Sequence, residues 1–317
     1  MTSLEVYRGV LSRDWLYRWL VIAATAVVAA IGVYAMQLNI DDQRWRPVLQ
    51  VIFVFWAGGL IFAALALRIR SLTFVLSACA DFFDTVSQWL VFALAGLVLT
   101  YVAASANFPL MDEVFASWDA TMGFHWADTY AWVQRHPVIQ TVLWTAYGGG
   151  AAQLVTFFLI HSVRAPGNGS GELMWMFMVS LLITIAISVI LPAAALPGTI
   201  GQRHIDVFLG VRNGHVTVLN ASTITGIISF PSFHTASAAI LIYSARAMKW
   251  LLAVIVPLNV LVILATVPCG GHYLVDTIAG LAVAAISILI VRNMRSSIVV
   301  GESNSAAARR ADASGQA

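Results

Sequence analysis

The sequence predicts an all-α, polytopic membrane helix bundle. Three observations carry this. Hydrophobic residues make up 60% of the 317-residue chain and charged residues 10%, against about 25% charged in soluble domains. Uncharged apolar runs recur, each near the roughly twenty residues an α-helix needs to cross the hydrocarbon core. The basic residues lie between those runs and favour one side.

Eight runs qualify, at 19–38, 48–67, 86–105, 138–161, 171–193, 227–247, 250–268 and 272–292. The first follows Arg8, Arg13 and Arg18. It is long for a cleaved signal, and no small-residue cleavage site follows it, so it reads as a retained helix. With about eight crossings both termini share one side. Twelve of the seventeen basic residues collect there, against Arg44, Arg46, Arg135, Arg203 and Arg212 on the other. The excess marks the terminal side as cytoplasmic, and a bacterial inner membrane suits such a chain. Residues 293–317 are polar and rich in Ser and Ala, which reads as a disordered cytoplasmic tail. A net charge of +2 is too small to point to nucleic acid. Cys79 and Cys269 fall toward opposite faces, so no disulfide is expected. Oligomeric state has no sequence signal.

The longest outer connection, 108–137, mixes Asp112, Glu113, Asp119 and Asp128 with Trp118, Phe124, Trp126, Tyr130 and Trp132. This pattern suits an amphipathic helix at the interface. It either caps the bundle or lines a lipid entrance.

Two clusters carry chemistry. Phe230-Pro231-Ser232-Phe233-His234-Thr235 opens the sixth run, and Gly270-Gly271-His272-Tyr273-Leu274-Val275-Asp276 opens the eighth. The charge bias, which used no histidine, puts both on the outer face. His272 and Asp276 are four apart and share a helix face. A carboxylate there fixes the imidazole tautomer and leaves the other nitrogen as nucleophile or base. An ionisable pair in a membrane helix is costly and is read as functional. The start of this helix, behind Gly270 and Gly271, is expected to offer free N–H groups to a phosphate. His234 lies in a first turn, where it could protonate a leaving oxygen, and Ser232 offers a hydroxyl. Equatorial phosphate oxygens need fixed positive charge, and Arg203 and Arg212 lead into the His234 cluster. His125, His136, His161, His204, His215, Asp81 and Asp84 read as ordinary surface or packing residues.

The two clusters resemble the second and third signature motifs of the type 2 phosphatidic acid phosphatase (PAP2) superfamily. Their Phe-Pro-Ser-x-His and His-Tyr-x-x-Asp forms look closest to its inositol phosphorylceramide synthase-like (inositolphosphotransferase) branch. The resemblance covers residues 86–292, a six-helix catalytic core, with residues 1–85 adding two helices in front. It implies an enzyme of lipid metabolism, a lipid phosphatase or lipid phosphotransferase acting on a membrane lipid phosphate. It implies no cofactor and no metal, His272 as nucleophile, Asp276 as its orienting partner and His234 as acid. Ser232 and backbone N–H groups of Phe233 and Gly271 would contact the phosphate. Water, an alcohol or a polyol would be the acceptor. The superfamily's first motif, Lys-x6-Arg-Pro, is absent. Arg46-Pro47 lies outside the core, and the only lysine is Lys249. Thr266 stands where an arginine usually precedes the third motif, and Phe233 where a glycine usually precedes His234. Arg203 or Arg212 would replace the missing cations.

Two other classes compete. A haem or metal-binding membrane protein would use His161, His234 and His272, but these lie at helix ends beside Pro and Gly, and no Cys-x-x-Cys-His is present. A non-catalytic lipid-phosphate transporter would show midplane charges and repeat symmetry, and neither is clear in the sequence.

Overall fold

The computed structural model describes residues 13–166, 170–196, 201–221 and 224–314, with side chains except at positions 42, 70, 201–203 and 297–314. The chain is an all-α membrane helix bundle. In hydrocarbon every backbone polar group must be satisfied within the protein, which selects helices for apolar runs of this length. Helices α1 (Arg13–Ala35), α2 (Asp42–Arg68) and α3 (Thr73–Ser105) come first. Two short helices, α4 (Asp112–Thr121) and α5 (Trp126–Gln134), follow. Then come α6 (Pro137–Gly148), α7 (Gly150–Arg164), α8 (Gly171–Ile190) and α9 (Gly201–Arg212). The last three are α10 (Phe233–Ser244), α11 (Lys249–Gly270) and α12 (Leu274–Ser314).

Among the described residues six helices are long and apolar enough to cross a membrane alone: α1, α2, α3, α8, α11 and α12. The pair α6–α7, bent by 46° at the break between them, makes a seventh if it counts as one span. The predicted run 227–247 differs from expectation. Its helix holds only 12 residues, because Pro231 and the residues before it are not helical and proline cannot continue a helix interior. This helix nevertheless runs beside the first part of α12. Ser232 lies beside His272, and Arg246 shares a pocket with Arg292 and Arg295. The boundary expected at 85/86 falls inside the continuous α3. The tail expected as disordered is drawn as helix to Ser314, consistent with the high helix propensity of its alanines. Cys79 and Cys269 are both free.

Helix α3 is the hub, touching α1, α2, α7, α8 and α9. The main core gathers Phe92, Phe157, Phe158, Met174, Phe177 and Ile240, all at most 2% exposed. Each such side chain contributes about 1.5–3 kcal/mol relative to exposure in water; against lipid, close packing matters more. A buried Asn259 Nδ2 donates to Gln153 Oε1 across α11 and α7 at 2.8 Å. By contrast α2 packs chiefly on α3 and presents Val51, Phe53, Val54, Leu60 and Ile61 outward, as a lipid-facing helix must. A short parallel pair, Asn39–Ile40 with Val218–Leu219, ties the α1–α2 turn to the connection before α10. Trp45 Nε1 reinforces it by donating to the Leu219 carbonyl.

Candidate active site

The site forms where α10 and α12 begin side by side. Gly280 permits that approach. A Cβ there would overlap the Ser232 carbonyl oxygen and lie 2.9 Å from the Thr235 Cβ, so α12 meets the first turn of α10 with no side chain between them. Gly270 does the same at the end of α11. Its Cβ would stand 2.7 Å from the Tyr147 hydroxyl and 2.8 Å from the His272 ring. Gly271, at φ 68°, ends α11, and its carbonyl accepts from Leu196 N–H.

Asp276 is fully buried. Its Oδ2 accepts from His272 Nδ1 at 3.1 Å, Ser229 Oγ at 2.8 Å and Tyr273 N–H at 3.0 Å. Its Oδ1 has no partner among the described residues. With Nδ1–H donated to the carboxylate, His272 Nε2 carries the free lone pair. That nitrogen faces Ser232 Oγ at 3.4 Å. Ser232 also accepts from the Thr235 N–H at 3.4 Å and hydroxyl at 3.2 Å, which makes it the side-chain cap of α10. The N–H groups of Phe233 and His234, next in that turn, have no partner among the described residues. They are the positions a bound anion would use.

His234 is exposed, unlike the buried His272. Its ring stacks on Tyr147 at 4.4 Å, and its Nδ1 lies 3.4 Å from the Tyr147 hydroxyl. Desolvation by the surrounding protein and the neighbouring His272 lower its pKa to about 4. Sequence reasoning missed Tyr147, because the bend at Gly149 that delivers it carries no motif.

The start of α12 differs from expectation. Its N–H groups are not free. Asp119, on α4, accepts from Leu274 N–H at 2.8 Å and Val275 N–H at 3.0 Å. Gly271 N–H bonds back to Thr266. These partners leave this start occupied by carboxylates rather than open to phosphate. Asp112, one turn and more before Asp119, accepts from Ala194 N–H and from the Tyr273 hydroxyl. Burial and the Asp112 carboxylate push the Tyr273 phenol up, so it stays a donor. Between the two aspartates Phe115 is fully buried against Phe230, 4.4 Å between centroids, and Tyr273. The acidic-aromatic connection therefore caps the bundle directly over the two motifs. Helix α5 adds Trp126, whose Nε1 donates to the Val267 carbonyl.

The expected arginines do not converge on the histidines in what is described. The Arg203 side chain lies outside the described residues. Arg212 Nη2 donates to the Phe108 carbonyl at 2.7 Å, and Arg212 lies near Asp112. Thr266, in the usual arginine position, is buried and hydrogen-bonded to Thr277 at 3.0 Å. A third histidine is present instead. His204 on α9 faces the 226–227 backbone and lies near His272. Its Nε2 is buried without a hydrogen-bond partner among the described residues. Burial and the neighbouring His272 push its pKa down to about 4. The non-helical segment before α10 bonds Asp276 through the Ser229 hydroxyl and the Ser232 N–H. Among the described residues no three His, Cys, Asp or Glu side chains are placed to hold a metal ion.

A family model described as the PAP2 superfamily matches residues 113–290. The chain belongs to the PAP2 superfamily. The match opens at α4 and closes within α12, so it contains both histidine motifs and the cap. No curated protein and no solved structure matches the chain. PAP2 membership makes this an integral membrane protein of a lipid phosphatase type, within a superfamily of phosphatases and phosphotransferases.

Proposed function

We propose that this PAP2 protein cleaves a phosphoester of a membrane lipid through a phosphohistidine on His272. The observation that carries the reading is the 3.1 Å contact from His272 Nδ1 to the buried Asp276 carboxylate, beside the unpartnered N–H groups of α10 and the open His234. In the first step His272 Nε2 attacks phosphorus, the bond from phosphorus to the leaving oxygen breaks, and His234, which takes up a proton once the phosphate anion lies against it, gives that oxygen the proton. In the second step the oxygen of water or an alcohol attacks phosphorus, His234 takes its proton, and the N–P bond breaks. This is covalent catalysis with one residue serving as acid and then base. The Phe233 and His234 N–H groups stabilise the charge on the equatorial oxygens. No step calls for a metal or cofactor.

The Phe-Pro-Ser-x-His and His-Tyr-x-x-Asp forms and the missing lysine support the inositolphosphotransferase-like branch, with an alcohol or polyol as acceptor. The bias of basic residues supports cytoplasmic termini and a periplasmic site in a bacterial inner membrane. A lipid-phosphate transporter would have no use for the buried His272–Asp276 pair.

The alignment of Ser232 Oγ, His272 and Asp276 favours a second reading, with Ser232 as nucleophile and His272 as its base. Purified protein in EDTA, supplied with labelled lipid phosphates with and without polyols, separates the two. A phosphorylated enzyme that is lost in acid and absent from His272→Ala supports phosphohistidine. An acid-stable phosphoenzyme absent from Ser232→Ala supports the serine. A new polyol-linked lipid marks a transferase, and free phosphate marks a phosphatase. Equal turnover by parent and His272→Ala rejects both.

A further inference from the structure

The end of the bundle away from the histidines carries a second feature. Asp276 and Arg292 lie on one helix about 24 Å apart. At the Arg292 end, Arg246, Arg292 and Arg295 line a pocket of about 380 Å³ together with Glu172, Tyr243 and Ser296. Arg246 is engaged, donating to Glu172 at 2.8 Å and lying 3.9 Å over the Tyr243 ring. Arg292 and Arg295 are exposed and have no ion-pair partner among the described residues. The pocket walls therefore hold three cations against one carboxylate.

A second cavity, about 450 Å³, adjoins it and shares Arg295. It runs between α1, α8 and α12 and is walled by Tyr17, Leu20, Val21, Ala24, Val291 and Met294. Its polar edge is Asp14, which is already engaged. Asp14 accepts from Trp175 Nε1 at 2.7 Å and pairs with the buried Arg18 at 3.4 Å. An apolar groove that opens at one end onto unpaired arginines matches an amphiphile with an anionic head. A soluble anion would leave the groove unfilled, and a neutral lipid would leave the arginines unmatched. Basic pockets between membrane helices recognise anionic head groups in this way.

We propose that this is a binding site for one anionic phospholipid from the leaflet away from the histidines. Its head group lies among Arg246, Arg292 and Arg295, and one acyl chain fills the α1–α8–α12 groove. It is separate from the catalytic site and does not depend on the reaction proposed above.

The test is native mass spectrometry of the full chain from detergent, titrated with dioleoyl phosphatidylglycerol or dioleoyl phosphatidylcholine. The parent is expected to retain one phosphatidylglycerol at least tenfold more tightly than phosphatidylcholine. His272→Ala should keep that preference. Arg292→Gln with Arg295→Gln should lose it while keeping the parent's thermal midpoint. Ala24→Phe, which fills the groove without changing charge, should weaken retention of both lipids. Equal retention of the two lipids by the parent overturns the proposal. So does a preference that disappears in His272→Ala and survives the arginine changes, which places the lipid at the histidines. Complete displacement by millimolar inorganic phosphate also overturns it, since the site then recognises a free anion.

Discussion

Two helices begin at the histidine site, and their starts are chemically opposite. Helix α12 opens onto carboxylates. Asp119 takes the N–H groups of Leu274 and Val275, and Asp276 takes that of Tyr273. Helix α10 opens onto the Ser232 hydroxyl, which accepts only from Thr235, and the N–H groups of Phe233 and His234 stay free. A helix start carries about half a positive charge. At α12 that charge is already met by the Asp119 and Asp276 carboxylates. At α10 the charge remains for an arriving phosphate. The same local signal, a histidine beside a helix start behind Pro or Gly, thus makes a nucleophile's support at one start and an anion seat at the other. The difference comes from α4, 155 residues before the atoms it caps.

The most damaging way to break the α12 start is Asp276→Asn. Asp276 Oδ2 accepts three hydrogen bonds. The amide removes the carboxylate charge beside His272 and no longer fixes its tautomer. Turnover should fall roughly 10³- to 10⁴-fold, read as kcat on whichever lipid phosphate the parent accepts. A fall below tenfold would show that the carboxylate only packs.

Gly280→Ala attacks the relation between the two starts rather than either one. The new Cβ overlaps the Ser232 carbonyl, so α10 must shift relative to α12. Misplacement of this size costs roughly 10²-fold in rate, and overpacking costs about 1–3 kcal/mol of stability. A parent-like kcat with an unchanged thermal midpoint would mean the helices are not in contact there.

Much of this was legible in the sequence, for definite reasons. The apolar runs specified helices because lipid permits few alternatives. The contact of His272 with Asp276 was expected from their spacing on one helix, but the structure makes it from the connection 271–273, just before α12 begins at Leu274. The two motifs were expected on one face, and Ser232 meets His272 there. What stayed hidden depends on long-range placement. Asp119 and Asp112 read only as interfacial acids, because nothing local marks them as caps for distant N–H groups. Ser229 lies just outside a motif, and His204 lies on a helix with no motif at all. The run 227–247 looked like a full span because composition does not register that the residues before Phe233 leave the helix, where Ser229 and Ser232 bond Asp276.

His204 sharpens the comparison from the side of α10, since the segment it faces leads directly into that start. Its ordinary pKa is 6.5, and in the folded protein it is about 4. As pH falls below 6.5 the unfolded chain takes up the proton first, and the folded protein resists until about 4. Stability therefore drops across that window, by roughly 2–3 kcal/mol at 1.36 kcal/mol per unit. Above 6.5 the residue adds no pH dependence. Thermal midpoints from pH 7.5 to 4 should fall more steeply for the parent than for His204→Gln. Parallel slopes would mean that His204 titrates in solvent and does not face His272.

The smallest change expected comes from Asp119→Ala, which strips the remote cap from α12 and leaves α10 untouched. Losing a helix-start acceptor costs about 0.5–2 kcal/mol, seen as a lowered thermal midpoint in detergent. Turnover should fall less than tenfold, because Asp276 still holds His272. The informative readout is inhibition by inorganic phosphate. With Asp119 gone, the N–H groups of Leu274 and Val275 are free, and the α12 start becomes a second anion seat. Phosphate should then inhibit more tightly than it does the parent. An unchanged inhibition constant would mean that the carboxylate never competed with phosphate, and that the two starts differ in structure without differing in function.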